Sequence, residues 1–164
     1  MAASSVGTAE TVSATTAISA SAETVFAVLA DPSQHPAIDG TGRVRDSLDE
    51  QWLTGSGQIF RVAMYHENHP GGSYEMANQV LAFEPPRVIS RKPGYVLPAT
   101  GQARVRRLDL ALRPDQLGPD ETRVTLSYDW SGVRPIPRQR IQFPPFTPDH
   151  LDNSLSHLAA IIAR

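Results

Sequence analysis

A chain of 164 residues has the length of one domain with a real core, and 40% hydrophobic against 20% charged residues is too apolar for a disordered chain. The net charge of -2 offers nothing to nucleic acid or an anionic membrane, and no apolar run reaches membrane-spanning length. The absence of cysteine excludes disulfides, thiolate metal sites and cysteine nucleophiles together, and it suits a reducing cytosol.

Residues 1–10 are small and polar, without the basic start and apolar middle of a signal peptide. They read as a disordered N-terminal tail on a cytoplasmic protein, with residues 11–164 forming one domain. Residues 11–20 are β-branched or small and read as a first strand. Ser21 then opens a helix, with Glu23 in its first turn and Ala22, Val25, Phe26 and Leu29 at helical spacing. Asp31-Pro32 stops it, and the turn-rich segment 33–42 has room for one short helical turn.

From Arg43 the chain is a run of short strands divided by turn residues, the pattern of an antiparallel meander. The strands are predicted over 44–48, 58–66, 74–83, 87–91, 103–112 and 122–130, with a loop over 93–101. In the fifth, Leu108, Leu110 and Leu112 share a face that Arg104 and Arg106 continue. In the last, Val124, Leu126, Tyr128 and Trp130 alternate with Arg123, Thr125, Ser127 and Asp129, as a half-buried strand requires. A proline-rich loop over 131–146 follows. Thr147, Pro148 and Asp149 form a helix start, and Leu151, Leu155, Leu158 and Ile162 fall in one stripe that must pack on the sheet.

Strand, helix, short helical turn, six strands and a long C-terminal helix resembles the START-like (SRPBCC) superfamily. The entry Ile18-Ser19-Ala20-Ser21-Ala22-Glu23-Thr24-Val25-Phe26, then Val28-Leu29-Ala30-Asp31-Pro32, is similar to that of its polyketide cyclase/dehydrase-like branch. Asn78, Val80, Phe83-Glu84-Pro85 and the run Asp152 to Leu158 extend the likeness. The resemblance implies an α+β helix-grip fold: a curved antiparallel sheet of about seven strands around a long C-terminal helix, with two short helices after the first strand. It also implies a ligand-sized cavity, but no particular reaction, because this superfamily shares a cavity rather than a chemistry. Many relatives carry tryptophan where this chain has Val88-Ile89-Ser90-Arg91 and His35-Pro36-Ala37-Ile38-Asp39-Gly40, so the cavity wall differs here.

No nucleophile, metal or cofactor constellation stands out. His66-Glu67-Asn68-His69 has its second histidine one residue early for a zinc-protease helix, and the glycine pairs at 40–42 and 55–57 read as turns. The expected cavity residues are Phe60, Val62, Met64 and His66 on one strand, Asn78 on the next, and Arg104 and Arg106. Val124, Leu126, Tyr128 and Trp130, with Leu151, Leu155 and Leu158 of the last helix, complete the set. His66 as a base and Arg104 or Arg106 as enolate stabilisers are the catalytic candidates. Each also has a structural reading, as a hydrogen-bonded core histidine and as solvated strand-end arginines. His35 and Asp39, on the short turn, are candidates for gating the cavity.

The leading expectation is a protein that holds a hydrophobic, lipid- or polyketide-like small molecule without a cofactor, as a monomer or a homodimer. The alternative is a cyclase or dehydratase using acid–base chemistry in the same cavity, which leaves open whether the chain is an enzyme. A third is a protein-interaction module, which requires an exposed apolar patch and a filled interior.

Overall fold

The computed structural model describes residues 6–8, 10–39, 44–48, 51–65, 67, 71–96, 103–105, 109–131 and 149–163. Strands β1 (Val6–Thr8) and β2 (Thr11–Ile18) lead into helix α1 (Ala22–Leu29), a 3-10 turn (Pro32–Gln34) and helix α2 (His35–Ile38). Strands β3 (Val44–Ser47), β4 (Ile59–Tyr65), β5 (Ser73–Glu84) and β6 (Val88–Val96) follow. Strands β7 (Ala103–Val105), β8 (Asp109–Gly118) and β9 (Glu121–Asp129) precede the C-terminal helix α3 (His150–Ile162).

The strands form one curled antiparallel sheet in the order β1-β2-β9-β8-β6-β5-β4-β3, with β7 pairing β6 off that path. β1 and β7 are three-residue additions to seven longer strands, so the expected helix-grip architecture of about seven strands is the one observed. On β9, Thr122, Val124, Leu126 and Tyr128 are buried while Glu121 and Arg123 are exposed. Across from them Leu112 faces Leu126 and Leu110 faces Tyr128, so the two strands present one apolar surface inward.

Helix α1 starts where its cap predicts: Ser21 Oγ accepts the Thr24 N–H at 3.2 Å. Its buried face, Val25, Phe26 and Leu29, enters the same core as Phe60, Val124 and the α3 residues Leu151, Leu155 and Leu158. Asp31 Oδ1 accepts both the Ser33 N–H at 3.0 Å and the Ser33 hydroxyl at 2.7 Å, which turns the chain into α2. The three leucines of α3 are each at most 1% exposed, so the predicted stripe fills the grip. His157 lies on the outer side of α3, exposed, and its Nδ1–H donates to the Asp39 carbonyl at 3.0 Å, tying α3 to the end of α2.

Four details differ from the sequence reading. Val6–Thr8, placed in a disordered tail, pairs with β2 in the register Thr8↔Thr11, because its Val and Thr residues suit an edge strand. The strand expected over 103–112 is two: β7 pairs β6 at residues 94–96, whereas β8 pairs it at 89–91 and continues to Gly118 along β9. β6 runs through Pro93 into the expected loop. Pro93 sits where β6 changes partners, a position that tolerates a residue with no N–H to donate. Helix α3 is capped at Asp149 without a side-chain bond, and the start expected at Thr147 and Pro148 lies outside the described residues. Among the described residues, no helix is long and apolar enough to cross a membrane.

Candidate functional site

Between the concave face of the sheet and helices α2 and α3 lies a cavity of about 180 Å³. The pleat builds its wall. Met76, Asn78 and Val80 on β5, and Ile89, Arg91 and Pro93 on β6, line it at every second residue. Val62 and Met64 come from β4, Leu110 and Leu112 from β8, and Leu126 from β9. Leu29, His35, Ile38 and Asp39 close one side, and His150 and Ser154 of α3 another. Ser90, out of phase with its neighbours, accepts the Ala82 N–H at 3.1 Å, which satisfies a donor stranded by the bulge between Val80 and Phe83. A wider depression of about 600 Å³ along Gln51, Trp52 and Ser56 is open to solvent and carries none of these groups.

The polar centre of the cavity is a pair that links α2 to the sheet. His35 Nε2–H donates to the Leu29 carbonyl at 3.0 Å, and Arg91 Nη1 donates to His35 Nδ1 at 3.3 Å. One bond fixes the tautomer that the other requires, so the imidazole is neutral with both nitrogens engaged. Burial first, and the Arg91 charge second, lower the His35 pKa from 6.5 to about 3. Both groups rest on Phe60, which is fully buried. The His35 ring meets it edge-on at 5.5 Å and 64°, and the Arg91 guanidinium lies 5.6 Å from its centroid.

Arg91 is thus a cation held in an apolar wall. Burial lowers its pKa from 12.5 to about 10, partly offset by the charge of Asp39, so it stays protonated at neutral pH. Asp39 in turn accepts the Val44 N–H on Oδ2 at 3.2 Å. The Arg91 Nε atom is buried and has no hydrogen-bond partner among the described residues. His35 and Arg91 are half-buried, and both line the cavity.

Of the residues named from sequence, Val62, Met64, Asn78 and Leu126 stand at the cavity wall. Phe60, Val124, Leu151, Leu155 and Leu158 are buried in the core behind it. Tyr128 and Trp130 form a separate cluster with Val12 and Leu110, their rings 6.0 Å apart, and do not join the lining. Their alternation is right, but the strand carries them past the cavity to the far end of the sheet. Arg104 lies on β7 opposite Tyr95, with its side chain outside the described residues, and His66 and Arg106 lie outside them altogether. Arg91 was not among the candidates. Its signal is the spacing Ile89-x-Arg91-x-Pro93, legible only if the strand continues past Arg91. His35 and Asp39 are four apart and so share a face of one helical turn, which places both at the cavity rather than only at its entrance.

No family model and no curated protein matches the chain. Solved structures do match along nearly its whole length. The protein Ms6760 from Mycobacterium smegmatis has a TM-score of 0.71 at 14% identity, covering 99% of this chain and 98% of its own. A START superfamily protein from the same organism has a TM-score of 0.63 at 17% identity, covering 94% and 97%. The Zhui aromatase/cyclase from Streptomyces sp. R1128 has a TM-score of 0.53 at 19% identity, covering 93% and 86%. At such identities the likeness speaks for the fold alone.

Proposed function

From a START-like fold with an internal cavity, we propose that this protein is a cytoplasmic binder of a small hydrophobic molecule, held between the sheet and α3. The observation that carries the reading is the cavity itself, mostly aliphatic and sulfur-containing, with a few polar groups gathered on one wall. Its volume of about 180 Å³ is close to that of an engineered ~150 Å³ cavity that takes benzene, so the occupant has the size of a single ring or a short branched chain. A long lipid or a full polyketide asks for more room. The resemblance to aromatase/cyclase structures raises the alternative of acid–base catalysis. His35 is poorly suited to that, because its pKa lies far below neutrality and its acceptor nitrogen is already bonded to Arg91. A filled interior, which a pure protein-interaction module needs, is at odds with the cavity.

The test is a fluorine NMR titration with 4-fluorotoluene on the full chain and on Leu112→Trp, which extends a larger ring from the cavity wall. The reading expects saturable binding with Kd on the order of a millimolar or tighter in the unaltered protein, and loss of that binding in Leu112→Trp at unchanged fold. Binding that ignores the substitution, or no binding at all, removes the reading.

A further inference from the structure

We propose that Arg91 is an anion-recognition group and that the cavity's ligand is a small carboxylic acid, bound as its carboxylate with an apolar body against Leu112 and Leu126. The proposal rests on the binding reading above and names the class of molecule bound.

The starting point is the cost of the arrangement. A guanidinium set into an aliphatic wall loses its hydration, and buried charges persist only with compensation. Arg91 has three partial compensations: the face of Phe60, the Nδ1 lone pair of His35 and the field of Asp39. None of them reaches Nε, which is buried and unmatched among the described residues. Buried polar atoms are rarely left this way, and one at the wall of a cavity calls for an account.

The chemistry of the guanidinium narrows the account. His35 holds Nη1 from one edge, and Nε belongs to the other edge of the planar group. That free edge carries the two parallel N–H groups that receive a carboxylate side-on. His35 has no proton to offer there, since Nε2–H is committed to Leu29. Its role is to hold the guanidinium plane, which pre-organises the fork. Asp39, on the same wall, has Oδ2 engaged by Val44 N–H. Besides the uncharged polar groups of Asn78, Ser90 and Ser154 and the His150 ring, the remaining lining, from Val62 and Met64 to Leu110, Leu112 and Leu126, is apolar, so a ligand with one charged end at Arg91 and an apolar body suits it.

The experiment compares 4-fluorobenzoate with 4-fluorotoluene, probes of nearly equal size, by fluorine NMR titration at pH 7 on the full chain. The unaltered protein is expected to bind the carboxylate roughly ten-fold or more tightly than the neutral probe. Arg91→Gln is expected to abolish that preference, bringing the ratio of the two affinities to about one whatever it does to 4-fluorotoluene alone. Arg91→Lys, which keeps the charge and loses the fork, is expected to fall between. Binding of 4-fluorotoluene without a carboxylate preference overturns the assignment of Arg91 but leaves the cavity reading intact, with water as the partner of Nε. A carboxylate preference that survives Arg91→Gln also overturns it. If neither probe binds, both readings fail together. Should Arg91→Gln lose its fold by circular dichroism, the comparison of the two probes on the unaltered protein decides.

Discussion

Acidification should unfold this protein partly through His35. In the folded chain the imidazole is neutral down to about pH 3, whereas the unfolded value is 6.5. Between those limits the unfolded state binds a proton that the folded state refuses, so stability falls as pH falls. Above pH 6.5 the slope fades, and it is gone by about pH 8. Integrating over the interval gives a loss of about 1 kcal/mol at pH 5.5 and about 3 kcal/mol at pH 4.5, upper limits because the ring is only half-buried. The assay is urea unfolding of the unaltered protein and of His35→Gln at pH 7.5, 6.5, 5.5 and 4.5. Gln keeps a donor and an acceptor but does not titrate, and subtracting the two curves cancels the carboxylates common to both. The difference between the variants should grow in the unaltered protein's disfavour by roughly those amounts as pH drops. Parallel curves across the whole range would refute the claim that His35 is held neutral at the cavity wall.

Three further outcomes follow from the packing. Leu158→Ala, at a residue with no exposed surface in the middle of the α3 stripe, should cost about 2–5 kcal/mol, read as a lower urea midpoint at unchanged slope. Ser90→Ala removes the acceptor for the Ala82 N–H beneath the β5 bulge and should cost about 1–3 kcal/mol in the same assay; a neutral result would mean that water replaces it. Asp39→Asn removes a negative charge that opposes Arg91 and would repel a carboxylate, while keeping an acceptor for Val44 N–H, and should tighten 4-fluorobenzoate binding about two- to five-fold relative to 4-fluorotoluene.

Much of the fold was legible because it is written in periodicity. The alternation from Val124 to Trp130, the α3 leucine stripe and the Ser21 cap each answer to a local rule, and each stands in the structure as read. The site was less legible because it depends on which strands become neighbours. Tyr128 and Trp130 share the inward face of β9 with Leu126, yet only Leu126 reaches the cavity, a difference set by position along a curved sheet. Arg91 looked like the last residue of a short strand, since Pro93 ordinarily ends one. Unbroken pairing with β5, and a change of partner from β8 to β7 on the other side, let β6 continue past Arg91, whose inward face follows from its alternation with Ile89. His35 and Arg91 are 56 residues apart, and nothing local in either segment announces the other.

The most direct test of the central claim is a crystal structure of the full chain grown with 4-fluorotoluene and, in parallel, pressurised with xenon. The account predicts density for one occupant enclosed by Met64, Leu112 and Leu126, with Arg91 at its edge. A core packed solid at that place, or an occupant found only on the outer surface, would contradict it.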